Sequence, residues 1–445
     1  MKHIITLVSL FLSLSSSSQS IVEDSIYFEH NNSFRKIKIW LPEDYLPSTT
    51  YQTIYCLDAD LLFNPLVSSA EIYSYPDIAK MPPTIVVGLY FDERNNDMGI
   101  NWETGVLNSD GLQFKKLIAD QLIPKIESDY NVSSYRSIVG HSNSSSYIQF
   151  FLKDSIPVFQ GYLSMSEYEL PKDEALFCSI QASESRPIDF VYVTAKKDAE
   201  YRVKSGFRHE TILDSCSQEH LKSTHLVFDN ADHISMVPQG MPLGLETLYA
   251  DFSSAYIEDD QLLLKMKGEK SPLEYMDDLV HARASKYGIQ ANYSFDDVNN
   301  LYQLYVIAKD SINMSHATSK YAELFKDSSE YFYEAQSLEM IGAYHSAEQS
   351  YLKHLSYYSS PGEWSYKRIV WLYMGKLKQP KKALEWASQG YVELDNTDFI
   401  DLIVKIALKN EQCKKNAQSM LKNYIKNAST EERKEFLNSK RNLIN

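Results

Sequence analysis

Cysteine is scarce in this chain. Four residues in 445 (Cys56, Cys178, Cys216, Cys413) are too few for a disulfide framework. Export would permit a single bridge, and Cys178 with Cys216 is the pair to test first. Cys56 lies inside an apolar run and reads as a buried small hydrophobe. No Cys/His cluster has the spacing of metal ligands, so neither a structural metal nor a cofactor is expected. Basic residues are outnumbered, 44 Lys and Arg against 59 Asp and Glu. The resulting net charge of -15 argues against nucleic acid and anionic membrane surfaces, both of which select a basic face.

A long apolar run is missing as well. The stretch Ile4 to Leu14 is too short to cross a bilayer. Preceded by Met1-Lys2-His3 and followed by the small residues Ser15 to Ser20, it reads as a cleavable export signal cut near Ser20. No cysteine before Cys56 is available to take a lipid anchor. A periplasmic or secreted protein with no transmembrane segment after cleavage is therefore expected. With 44% hydrophobic residues the remainder can bury sizeable cores, and its length allows two or three domains. The texture divides it into a signal (1–20), a domain of alternating strands and helices (21–258) and a helical domain (259–445).

Within 21–258 the informative stretch is Gly140-His141-Ser142-Asn143-Ser144. It follows the apolar run Ser137 to Val139 and precedes a helical pattern through Tyr147, Phe150 and Phe151. This is G-x-S-x-S where a nucleophile elbow has G-x-S-x-G, a sharp turn that lifts a serine hydroxyl off the end of a strand. A serine at a helix start also caps it, so five residues alone do not decide. The runs Tyr51 to Asp58, Thr84 to Tyr90, Gly161 to Met165, Ile188 to Thr194 and His225 to Phe228 add further strands. Strands alternating with helices imply an α/β fold with a mostly parallel sheet, whose sites lie beyond the C-terminal strand ends. Ser142, Asp198 and His233 each fall just past such an end. A serine needs a base to take its proton, and the imidazole needs a carboxylate on its other nitrogen. Ser142 as nucleophile, His233 as base and Asp198 as orienting acid satisfy this, with Glu200 a competitor for the last role.

Several spaced stretches carry a family resemblance. They are Ile37-Lys-Ile-Trp-Leu-Pro-Glu-Asp-Tyr45, Tyr55-Cys-Leu-Asp-Ala-Asp60, Ile85-Val-Val-Gly88, Tyr135-Arg-Ser-Ile-Val-Gly-His-Ser142 and Asp232-His-Ile-Ser-Met-Val-Pro238. Roughly Ile26 to Phe252 resembles the esterase family of α/β-hydrolases that includes S-formylglutathione hydrolases, feruloyl esterases and enterochelin esterase-like enzymes. The resemblance implies an α/β-hydrolase fold and the same Ser142, His233 and Asp198 triad. It also implies an oxyanion hole from the Asn143 N–H and a backbone N–H of the loop at Ala59, Asp60 and Leu61. Ser144-Ser145 stands where the family has Gly-Gly, which predicts a helix and strand packed slightly apart. The segments Asp92 to Ser109 and Glu167 to Ser185 are expected to shape the pocket.

From about Leu262 the periodicity is helical throughout. Ala317, Ala347, Ala383 and Ala417 recur at 30, 36 and 34 residues in similar neighbourhoods. This resembles tetratricopeptide repeats, in which stacked helix pairs bury a shared core. The whole predicts a serine carboxylester hydrolase acting on a small-molecule ester through an acyl-enzyme. Its helical repeats are candidates for binding a protein partner or covering part of the site. The rival expectation is a catalytically silent hydrolase-fold scaffold, and a third is acyl transfer in place of hydrolysis.

Overall fold

A computed structural model describes residues 20–75, 78–171, 173–183, 186–216, 218–253, 270–325, 329–357 and 362–444. Residues 1–19 of the expected export signal lie outside these residues. The chain divides into two compact units, Met1–Ser254 with Val280–Asn292, and Ala255–Leu279 with Tyr293–Asn445.

An eight-stranded sheet organises the first unit. Its strands are β1 (Ser20–Phe28), β2 (Ser33–Leu41), β3 (Tyr51–Cys56), β4 (Thr84–Leu89), β7 (Val132–His141), β8 (Gly161–Met165), β9 (Ile188–Ala195) and β10 (Leu221–Phe228). The short pair β5 (Ile100–Asn101) and β6 (Val106–Leu107) stands apart from it. The order across the sheet is β1-β2-β4-β3-β7-β8-β9-β10. β1 and β2 run antiparallel to their neighbours, and every pairing from β4 to β10 is parallel.

The inner strands are apolar on both faces because helices cover both, and their residues alternate between two cores. Ile54 and Tyr55, Val86 and Val87, Ile138 and Val139, and Phe190 and Val191 each divide in this way. One core is closed by α1 (Ala59–Tyr73) and α8 (Met236–Leu248), through Leu62, Phe63, Met241 and Leu245. The other is closed by the helical stretch 109–129 and by α5 (Asn143–Ile148). Gly88 lets α1 approach β4 closely, since a Cβ there would lie 2.6 Å from the Phe63 ring. Cys56 is buried in this core with a free thiol.

One expectation changes here. The resemblance implies a loop at Ala59 to Leu61, yet α1 begins at Ala59. Asp58 adopts the left-handed conformation (φ 51), which turns the chain out of β3 at once. Its carbonyl then accepts the Leu61 and Leu62 N–H groups at 2.9 Å each.

The stretch 280–292 belongs to the first unit, and specific contacts explain why. Tyr287 packs edge-on against Tyr135 at 4.7 Å, and Lys286 pairs with Asp189 (2.8 Å) and Asp251 (2.7 Å).

The second unit is helical. It includes Phe295–Ala308, Ser315–Phe325, Glu330–Met340, Tyr344–Tyr357, Glu363–Trp371, Pro380–Leu394, Asp398–Lys409, Glu411–Asn427 and Glu431–Asn442. Ala317, Ala347, Ala383 and Ala417 are all fully buried, each near the start of every second helix. Gly390 admits the next helix closely, for a Cβ would lie 2.6 Å from the Phe399 ring. Among the described residues no helix is long and apolar enough to cross a membrane.

Candidate active site

Four adjacent strands, β7 to β10, end at the same edge of the sheet. Ser142 follows β7 directly and has φ 62 and ψ -125, a conformation that L-residues rarely adopt. Gly140 is required by the turn, since a Cβ there would fall 2.6 Å from the Ser144 carbonyl oxygen. Asn143 opens α5. Asp198 follows β9, and His233 follows β10 after a short loop.

The Ser144 substitution does not leave a gap. Its hydroxyl is fully buried, accepts the His141 N–H at 2.9 Å, and lies 2.7 Å from Asp58 Oδ2 and 2.9 Å from the His141 carbonyl. Asp58 in turn takes both arms of Arg94, at 2.5 and 2.7 Å, and Arg94 also reaches the His141 carbonyl at 3.2 Å. The serine thus ties the elbow to the start of α1. Ser144→Ala would strand buried polar partners, and a loss of about 1–2 kcal/mol in unfolding free energy is expected by urea denaturation.

Asp198 and His233 are in contact. Asp198 Oδ2 lies 3.0 Å from His233 Nδ1. Burial opposes the charge on Asp198, but hydrogen bonds from Ser166, His233 and the Ala199 N–H outweigh it and hold the carboxyl below its usual range. Glu200 is exposed and pairs with Lys204 at 2.6 Å, so the carboxylate beside His233 is that of Asp198. Ser142, Asn143, Asp198 and His233 line one cavity of about 610 Å³, together with Tyr201 and Arg202.

His141 braces the arrangement. Burial lowers its pKa to about 4, so the ring is neutral at pH 7 and its Nε2 donates to the His233 carbonyl at 2.7 Å. The two rings lie 4.6 Å apart.

The expected oxyanion donors fare unequally. Asn143 occupies the first helical position after Ser142, whose own N–H is held by the Met165 carbonyl at 2.8 Å. Leu61 is corrected, because its N–H donates to the Asp58 carbonyl and is not free. Ala59 and Asp60 form the first turn of α1, where N–H groups have no partner inside the helix.

Sequence reasoning missed Ser166, which follows β8 and contacts both Asp198 and His233. It also missed Arg202 on α7 (Glu200–Ser215), buried and donating to the Ser166 carbonyl (2.5 Å) and Asn143 Oδ1 (2.8 Å). For Ser166 the available signal was its place just past a strand end.

The two segments expected to shape the pocket converge on a second cavity of about 800 Å³, lined by Trp102, Tyr168, Glu169 and Arg208 among others. Tyr168 meets Trp102 and Tyr201 edge-on, at 5.5 Å each. The segment after β8 is fastened both to α7 and to the residue that follows it. Cys178 is bonded to Cys216, and buried His209 bridges Glu167 and Asp173 (2.8 Å to the latter). Burial alone would lower the His209 pKa, but the two carboxylates outweigh it and raise it to about 10. An unfolded histidine titrates near 6.5. The stability this pairing adds is therefore complete below about pH 6.5 and is lost as pH rises toward 10. Urea midpoints should fall from pH 6 to pH 9.5, and His209→Gln should flatten that slope.

Residues 29–148 match the family model described as "Putative esterase". That stretch of the chain is similar to the esterase family. The matched stretch includes Ser142 but ends before Asp198 and His233, whose pairing rests on the geometry above. No curated protein sequence matches the chain. Among solved structures, an uncharacterised protein from Capnocytophaga ochracea is 18% identical with a TM-score of 0.58, covering 80% of this chain and 100% of its own. An IroE-like serine hydrolase from Shewanella oneidensis is 17% identical with a TM-score of 0.53, covering 68% of this chain and 98% of its own. At these identities the likeness is one of fold. The first unit accordingly has a mostly parallel α/β sheet, and the second is all-helical.

Proposed function

We propose that the esterase domain hydrolyses a small carboxylic ester through Ser142, His233 and Asp198. The observation that carries this reading is that Ser142, on its strained turn, shares one cavity with the hydrogen-bonded His233–Asp198 pair. With Nδ1 held by Asp198, the neutral imidazole keeps its Nε2 lone pair for the Ser142 proton. Ser142 Oγ then bonds to the ester carbonyl carbon, and the negative oxygen is met by the Asn143 N–H and a second donor at Ala59 or Asp60. The imidazolium returns its proton to the departing alcohol, which leaves an acyl-serine. Water enters, gives a proton to His233 and bonds to the acyl carbon, and the acid departs as Ser142 regains its hydrogen.

Three features outside the site belong to the same reading. The helix pairs with their buried alanines support a tetratricopeptide-like stack as a protein-binding unit. The N-terminal pattern and the Cys178–Cys216 bond support export to an oxidising compartment. A competing alcohol or amine acceptor would reveal acyl transfer in place of hydrolysis.

The test is a fluorophosphonate probe on the full chain, read by intact mass and peptide mapping. One adduct on Ser142 is expected. A folded protein that takes no adduct would overturn the esterase reading in favour of a silent scaffold.

A further inference from the structure

Ser166 sits in the turn after β8, between β7, which leads into Ser142, and β9, which precedes Asp198. It is 2% exposed and adopts a left-handed backbone, φ 58, which costs any residue other than glycine. Its N–H donates to the Val193 carbonyl at 3.0 Å, and its carbonyl accepts from Arg202 Nη1 at 2.5 Å. Both backbone groups are therefore fixed, and they fix the side chain. The hydroxyl lies 2.5 Å from Asp198 Oδ2 and 2.9 Å from His233 Nδ1, which are themselves 3.0 Å apart.

We propose that Ser166 is a positioning residue of the catalytic centre, closing a three-membered hydrogen-bonded ring with Asp198 and His233. The protons fit one arrangement. The hydroxyl hydrogen goes to Asp198, because a carboxylate only accepts. The Nδ1–H of His233 is shared between Asp198 Oδ2 and Ser166 Oγ. That arrangement admits a single neutral tautomer, the one that leaves Nε2 unprotonated. It also holds the ring against rotation from two directions, where a lone carboxylate would hold it from one.

Arg202 extends the reach of this ring. Its second arm donates to Asn143 Oδ1, so one guanidinium spans from the residue beside the nucleophile to the residue that steadies the base. Separate strands deliver the nucleophile and the base, and Arg202 with Ser166 keeps them in register. The planar fork of arginine suits two acceptors at fixed separation, which lysine could not match.

This proposal rests on the esterase reading, and its test separates the two. Ser166→Ala removes the hydroxyl and keeps the backbone strain, whereas Ser166→Gly removes both. The measurements are steady-state hydrolysis of a p-nitrophenyl ester, circular dichroism, and the downfield Nδ1–H proton resonance of His233. Both variants should fold and keep KM within about threefold, while kcat drops on the order of 10- to 100-fold, the scale of a lost hydrogen bond to a charged pair. The Nδ1–H resonance should shift or exchange away in both. In Ser166→Ala/Asp198→Asn, kcat should fall little below that of Asp198→Asn alone, because both act through one ring. A Ser166→Gly variant with wild-type kcat and an unmoved resonance would overturn this proposal alone. A folded wild type inert to both ester and fluorophosphonate would overturn the esterase reading and this proposal together.

Discussion

Replacing Ser142 with alanine is expected to lower kcat for ester hydrolysis by roughly 10⁴- to 10⁶-fold, the scale on which triad nucleophiles are lost. KM should change little, since the hydroxyl acts chiefly as reactant. The backbone makes a second outcome informative. Ser142 holds φ 62 and ψ -125, and alanine would inherit that strain without gaining flexibility. Glycine adopts such angles freely. Strain of this kind costs about 1–3 kcal/mol, against about 0.5–1 kcal/mol of extra chain entropy for glycine. Ser142→Gly should therefore be as inactive as Ser142→Ala yet more stable, by about 1 kcal/mol in thermal or urea unfolding. Stability gained as activity disappears would mean that the turn is kept strained for the sake of the serine. A Ser142→Ala protein that still hydrolyses ester at the wild-type rate would remove Ser142 from the mechanism.

Asp198→Asn should follow closely in magnitude, lowering kcat by roughly 10³- to 10⁴-fold. An amide in that place can offer its NH₂ to Nδ1, which favours the tautomer with the proton on the wrong nitrogen. The loss stays below that of Ser142→Ala because the nucleophile itself is still in place. Glu200→Gln is the matched control. Glu200 is exposed and paired with Lys204, so its variant should keep kcat within about twofold. The reverse pattern would transfer the role to Glu200.

The proposed trio could be picked out because each member combines a reactive residue type with a place just past an apolar run. The parallel sheet then did the assembling: Ser142, Asp198 and His233 are far apart in sequence, but their strands all end at one edge. Ser166 has the same kind of place and lacked the second half of the signal, since a serine after a strand is ordinary. Its importance depends on a left-handed φ and on partners 32 and 67 residues away, which no local pattern encodes. The His209 bridge escaped for the same reason, with carboxylates 42 and 36 residues distant.

Ser144 was misjudged for a different reason. The sequence reading weighed the added volume of the side chain, whereas the hydroxyl is used to tie the elbow to Asp58. The fold class was easier to read, because apolar runs without alternation signal strands covered on both faces. The start of α1 was not, since nothing in Leu57-Asp58-Ala59 announces a left-handed aspartate.

The sheet order carries one more consequence. β10 is the outermost strand on its side, and most of its residues are only half-buried, while β9 beside it is buried throughout. The proposed general base thus rides on the margin of the sheet, and the proposed nucleophile in its interior. Margins open first, at a lower free energy than the whole molecule. Warmed or treated with denaturant, the protein would fall silent while its spectrum still looked native, with His233 carried off and Ser142 unmoved. Turnover is the early warning of this fold, and spectroscopy the late one.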